Sequence, residues 1–268
     1  MPTADRIVLC MKWGRVFGAD YVNVLYNAAK ANLSGAFRFV CLTDDSAGFL
    51  PGIEALPIPD IGLTEAQWYT RGVWPKLALY VADLHGLSGR CLFIDLDMMV
   101  IGPLDEMFSY GTGVIAFDVG ENMRPGITTA PPEVGTGFLA FDIGAETQIL
   151  RAFQDDPAAA MQAYQNEQDF VGAHASQIGF WPLDWVISFK RHLRQPIGLD
   201  LFLPPRNPPP GTRVLAFHGT PRPVDLIPER SGFWDRFPHL GHGQVRYVAD
   251  YWQSHGGQIP KTRKEIAG

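Results

Sequence analysis

The sequence predicts an α/β fold: a mixed, mainly parallel β-sheet flanked by helices. Three observations carry this. The chain opens strand–helix–strand, the unit from which parallel sheets are built. Its apolar runs are short and uninterrupted, as strands covered on both faces require. Two of these runs, one early and one late, end in side chains able to hold a ligand, Asp95-Leu96-Asp97 and His218. Open α/β sheets bind ligands at the carboxyl ends of their strands.

Residues 7–11 (IVLCM) form the first strand. Residues 19–32 follow as a helix, because Tyr21, Val24, Leu25 and Ala28 recur at i, i+3, i+4 and i+7. Residues 37–43 are a second buried strand, ended by Asp44-Asp45. Residues 44–73 carry the breakers PG, PIPD and IG and read as loop. Trp74-Pro75 starts a helix, with proline at its favoured first position, a stripe of Leu77, Tyr80, Val81 and Leu84, and Gly86 as its stop. Residues 90–94 (RCLFI) are a strand that runs into Asp95-Leu96-Asp97.

Beyond this point the α/β regularity weakens. Residues 114–117 and 137–141 read as strands around a Gly/Pro-rich loop at 119–136. Residues 146–153 and 168–175 read as helices, and 185–189 as a further strand. The stiff stretch PPRNPPPG at 204–211 cannot sit inside a sheet. It feeds a last strand at 213–217, which delivers His218. Residues 241–255 close the chain as a helix with Val245, Val248, Ala249 and Trp252 inward, before a polar tail.

Composition narrows the function. With 46% hydrophobic and 19% charged residues the chain is globular, not disordered. At this length folding buries about 73% of the surface, enough for one continuous core. The net charge of −6 argues against a general nucleic-acid binder. Cys10, Cys41 and Cys91 all lie in apolar runs, are odd in number and form no CxxC, so they read as reduced core residues. The start MPTADRIVLCMKWG lacks the pattern of a signal peptide, and no apolar run reaches the roughly 20 residues of a membrane span. A cytoplasmic protein is expected, with a peripheral membrane contact left open.

A bare D-x-D says little, since 19 aspartates in 268 residues yield about one such triplet by chance. Position gives it meaning. Asp95 and Asp97 are two apart, so in extended chain both carboxylates point to one side. Two adjacent like charges are costly without a cation between them, and oxygen ligands suit Mn²⁺ or Mg²⁺ together with substrate phosphates. The alternative is two solvated acids in a turn. In VLAFHGTPRP (214–223), Gly219 permits close backbone approach beside His218, and Arg222 follows four residues after the histidine. This combination suits a metal-bound diphosphate, although a lone histidine is more often structural.

RCLFIDLDMMVIGPLDEMF resembles the D-x-D segment of family 8-like glycosyltransferases of the GT-A fold. HGTPRP is similar to that family's late His-Gly-Lys-Pro motif, and CMKWGRVFGADYVNVLYNAAKANLSGAFRFVCLTDD to its nucleotide-binding start. The segments keep the family's order over most of residues 5–225. The resemblance implies a GT-A-type, Rossmann-like domain binding Mn²⁺ (or Mg²⁺) through Asp95, Asp97 and His218, with Asp95 also near the donor ribose. It implies donor contacts at Lys76, Gly219 and Arg222, the last standing where the family has lysine. It places the uracil near Met11, Lys12 and Trp13. Glu167-Gln168-Asp169 resembles the family's D-Q-D, which puts Glu167 and Gln168 beside the transferred sugar. Gly135-Thr136-Gly137 departs from the family's Asn-[AS]-[GS] turn, and the usual acidic uracil contact is absent.

The expected function is therefore transfer of a sugar, with retention, from a nucleoside diphosphate sugar, a UDP-sugar, to an acceptor that the residues do not name. One rival is a non-catalytic protein that uses the same fold to bind a glycan or nucleotide. Another is a sugar-1-phosphate nucleotidyltransferase, disfavoured because MKWGRVFG lacks a Gly-rich basic loop. A single domain over residues 1–268 is expected: a nucleotide-binding half (1–100), an acceptor half (101–212), a closing strand and helix (213–257) and a polar tail (258–268).

Overall fold

The computed structural model describes residues 6–120 and 130–261. Half of the Gly/Pro-rich loop expected at 119–136, residues 121–129, and the end of the polar tail lie outside the described residues.

The opening forms as expected. β1 (Ile7–Lys12) is buried throughout and lies between β2 (Arg38–Thr43) and β4 (Arg90–Ile94), both parallel to it. α1 (Ala19–Ala31) buries Tyr21, Val24, Leu25 and Ala28, the stripe read from the sequence. The breaker-rich stretch contains two short elements that its composition hides, β3 (Glu54–Leu56) and α2 (Glu65–Trp68). Thr64 and Gln67 close a reciprocal capping box at the start of α2.

The helix expected after Trp74 is a 3-10 helix, Trp74–Tyr80, and every one of its residues is buried. This corrects the amphipathic reading: the segment crosses the protein layer and has no solvent face. It ends where Val81 turns extended, so Val81 and Leu84 fall outside it.

β6 (Val114–Asp118) and β7 (Val134–Asp142) follow. Next come α3 (Thr147–Asp155), α4 (Pro157–Ala163), α5 (Glu167–His174) and β8 (Ile178–Phe180). The large sheet has the order β3-β2-β1-β4-β7-β6-β8. It is parallel from β3 to β4, while β7 runs antiparallel to both β4 and β6. Alternate residues of β1 feed opposite faces. Val8 and Cys10 join a core with α1, whereas Ile7, Leu9 and Met11 join a core with the 74–80 helix, α3 and α5. All three cysteines are free and buried.

A second, three-stranded sheet was not apparent from the sequence. β5 (Met98–Val100) pairs antiparallel with β10 (Val214–Ala216), which pairs parallel with β9 (Val186–Ser188). A π-helical turn, Phe189–Leu193, follows β9 directly. α6 (Pro223–Leu226) and α7 (Arg246–Ser254) complete the described chain. Among the described residues no helix is long and apolar enough to cross a membrane.

Candidate functional site

The D-x-D lies at the hinge between the two sheets. β4 ends at Ile94 in the large sheet and β5 begins at Met98 in the small one. Met98 N–H donates to the Asp95 carbonyl at 3.1 Å, so residues 95–98 form a tight turn. The β1 and β4 strand ends also mark the switch point of the large sheet, since β2 lies on one side of β1 and β4 on the other.

The small sheet brings the distant histidine there. In the β5–β10 ladder Ala216 pairs with Met98, Leu215 with Met99 and Val214 with Val100. The ladder ends at the Ala216–Met98 pair, beside the turn that carries Asp95 and Asp97, and His218 follows two residues after Ala216. Strand pairing therefore brings the segments that carry these residues to one cleft. Asp95, Asp97 and His218 all line one cleft of ≈ 520 Å³, together with Lys76, Thr136, Glu167, Gln168, Arg191 and Gly219.

Lys76 organises the floor of this cleft. It is buried, and its Nζ lies 3.0 Å from Asp95 Oδ2 and 3.2 Å from Glu167 Oε1. It also donates to the Thr136 carbonyl at 3.1 Å and to Thr136 Oγ1 at 3.2 Å. Burial pulls its pKa down, but the Asp95 and Glu167 carboxylates outweigh this and the net shift is upward, so the amine stays charged. Burial raises the pKa of Glu167, opposed by Lys76 and by the hydroxyl of Thr136, which donates to Glu167 Oε1. The backbone N–H of Thr136 donates to Gln168 Oε1 at 3.0 Å. That bond fixes the amide and directs its NH₂ away from Thr136.

Asp97 is pushed up to about 7, first by burial and next by the charge of Asp95, with Lys76 and Arg222 acting the other way. An acid in this state favours an added cation. His218 is pulled down to about 4 by burial and then by the cations of Lys190, Arg191 and Arg194. It is therefore neutral at pH 7, the form that ligates metals. Its Nε2 lies 2.7 Å from Ser188 Oγ. Among the described residues no three His, Cys, Asp or Glu side chains stand close enough together to hold an ion as they are placed. In donor chemistry, two carboxylates and a neutral imidazole in one cleft fit Mn²⁺ or Mg²⁺.

Two glycines let the backbone close around the aspartates. A Cβ on Gly137 would lie 2.2 Å from Met98 Cε and 3.2 Å from Asp95 Oδ2. Gly219, at φ 73°, turns the chain after His218 in the left-handed region.

Three expected contacts lie elsewhere. Lys12 is buried, and its Nζ donates to the Asp45 carbonyl at 3.1 Å, tying β1 to the end of β2. Trp13 packs half-buried on the core beneath β1. Arg222 holds its guanidinium 5.8 Å from the Phe17 ring centroid and does not line the cleft, although its charge is felt at Asp97. A separate recess of ≈ 480 Å³ opens beside Trp13, lined by Gly14, Arg15, Asp44, Asp45 and Tyr69. There Asp44 Oδ2 accepts the Gly14 N–H at 2.8 Å.

The sequence reading missed Thr136, Ser188 and Arg191. Thr136 sits between two glycines, a faint sign of close packing. Ser188 and Arg191 carry no sequence signal, because Ser188 meets His218 from the end of β9 and Arg191 reaches the cleft from the π-helical turn.

No family sequence model matches the chain, and no curated protein matches it in sequence. Solved structures do match in shape. The galactosyltransferase LgtC, solved with donor and acceptor sugar analogs, superposes over 95% of this chain and 98% of its own, with a TM-score of 0.55 at 13% identity. The glycosyltransferase GlyE of Streptococcus pneumoniae superposes over 98% of this chain and 63% of its own, with a TM-score of 0.54 at 14% identity. Mouse xyloside xylosyltransferase 1 covers 81% of this chain and 98% of its own, with a TM-score of 0.50 at 11% identity. The protein therefore has the GT-A-like α/β fold of these glycosyltransferases.

Proposed function

We propose that this protein is a divalent-metal-dependent glycosyltransferase. It moves a sugar from a nucleoside diphosphate sugar, a UDP-sugar, to an acceptor, with retention at the anomeric carbon, and it works in the cytoplasm. The observation that supports this reading is the one cleft lined by Asp95, Asp97 and His218, beside the β5–β10 ladder. The ladder supports the motif reading independently of any resemblance.

Asp95, Asp97 and His218 would hold Mn²⁺ or Mg²⁺. When bound, such an ion supplies Lewis-acid stabilisation of a leaving diphosphate. The remaining work belongs to the chain. Lys76 holds Asp95 in place and neutralises part of the acidic floor. Thr136 orients Gln168 so that its NH₂ can donate to the transferred sugar. Gly219 lets the backbone approach the diphosphate, and Arg222 adds positive charge near Asp97. The recess beside Trp13, at the ends of β1 and β2, is the place for the base.

The test is a screen of UDP-, GDP- and TDP-sugars with Mn²⁺, read as released nucleotide. Release from one donor class, abolished by chelation, is expected. Tight nucleotide binding with no sugar released from any donor would instead favour a non-catalytic binding protein.

A further inference from the structure

Six of the ten large apolar side chains exposed among the described residues come from two short segments. Ile197, Leu199, Phe202 and Leu203 lie on one, and Phe233 and Phe237 on the other. Phe202 is 80% exposed and Phe237 88%. Such side chains scattered singly need no explanation, but a cluster does.

The two segments form one surface. Asp200, buried between the exposed residues of the first segment, lies 3.1 Å from His239 Nδ1 and accepts the Leu240 N–H at 2.8 Å. His242 Nε2 lies 3.0 Å from the Leu201 carbonyl, and the Phe233 ring packs against His242 at 5.6 Å. Arg194 pairs with Asp235 at 2.8 Å beside them. Phe202, Phe233 and Phe237 are thus carried on a fixed platform.

Charge identifies what the platform meets. The chain carries a net −6, yet residues 190–246 hold nine Lys and Arg against four Asp and Glu. Two of those acids, Asp200 and Asp235, are already engaged in the bonds just described. The exposed charged residues of the two segments and their flanks are Arg206, Arg230 and Arg236 against Glu229 alone. Exposed aromatic and aliphatic side chains edged by arginine match the interface of a bilayer with negative headgroups. We propose that this platform docks the protein on the surface of an anionic lipid membrane, with Phe202, Phe233 and Phe237 entering the headgroup region. The proposal does not depend on the reaction assigned above.

The test is co-sedimentation of the full chain with vesicles of phosphatidylcholine alone or mixed with phosphatidylglycerol. Wild type should pellet with the mixed vesicles and not with the neutral ones. The double variant Phe202→Ser/Phe237→Ser should bind mixed vesicles about tenfold or more weakly, its fold checked by circular dichroism and an unchanged melt. The triple variant Arg206→Gln/Arg230→Gln/Arg236→Gln should lose its preference for the anionic vesicles by a similar factor. Failure of wild type to pellet with either vesicle, or equal binding by wild type and the phenylalanine variant, overturns the proposal. So does a concentration-dependent dimer that the phenylalanine variant abolishes without any vesicle binding, which assigns the patch to a second copy of the chain.

Discussion

Asp97 and Lys76 meet opposite electrostatic demands in one cleft. Asp97 sits near neutrality because burial and Asp95 both penalise its charge. Replacing it by asparagine removes that penalty along with a ligand. Asp97→Asn should therefore lower metal-dependent turnover by about a hundredfold or more without lowering the melting temperature, checked by nucleotide release and a thermal scan. Lys76 behaves oppositely. Its amine balances Asp95 and the buried Glu167. Lys76→Met strands a buried carboxylate and should cost about 3–5 kcal/mol in urea unfolding. The two aspartates and the histidine were legible in the sequence because each ends an apolar run. Lys76 was legible only through its place in the helix ahead of the D-x-D strand and the resemblance. Thr136 and Arg191 were not, since a backbone N–H bonded to Gln168 and a side chain set by a π-turn leave no residue pattern.

Strands and turns decide whether these residues meet. The β5–β10 ladder ends where Ile101 and Gly102 N–H both donate to the Arg213 carbonyl, at 2.8 and 3.1 Å. A Cβ on Gly102 would stand 2.7 Å from the Thr212 carbonyl oxygen and 3.1 Å from Arg213 Cα, both backbone atoms that cannot swing aside. Gly102→Ala should cost about 1–3 kcal/mol by overpacking and weaken divalent-ion binding, followed by urea unfolding and calorimetry. The sequence reading placed strands where β9 and β10 form, but β5 has only three residues, too few to show a period, so the pairing of the three into a second sheet escaped it. The longer β1–α1–β2 opening did not. A second element-level test concerns the turn Leu199–Leu201. Burial pushes the Asp200 carboxyl up, but the Leu240 N–H, His239 and the Gly198 N–H outweigh it and hold its pKa below the usual range. A depressed folded pKa means its stabilisation is complete above the unfolded value of about 3.9 and is lost as pH falls through the folded one. Wild type should thus lose stability below about pH 4 more steeply than Asp200→Asn, seen in melts across that range.

At the scale of the whole molecule, two cores flank the large sheet and the small sheet leans on its switch point. The fold class was readable from strand order and apolar runs. The junction of the two sheets was not, because it depends on pairing between residues more than a hundred positions apart in sequence. That junction is where Asp95, Asp97 and His218 share a cleft, and the proposed chemistry stands or falls with it. Calorimetric titration of UDP into wild type and His218→Ala, each with and without Mn²⁺, tests it most directly. Mn²⁺ should tighten UDP binding to wild type by about tenfold or more, and that gain should vanish in His218→Ala. Equal affinity with and without Mn²⁺ in wild type, or an undiminished Mn²⁺ gain in His218→Ala, would contradict the account.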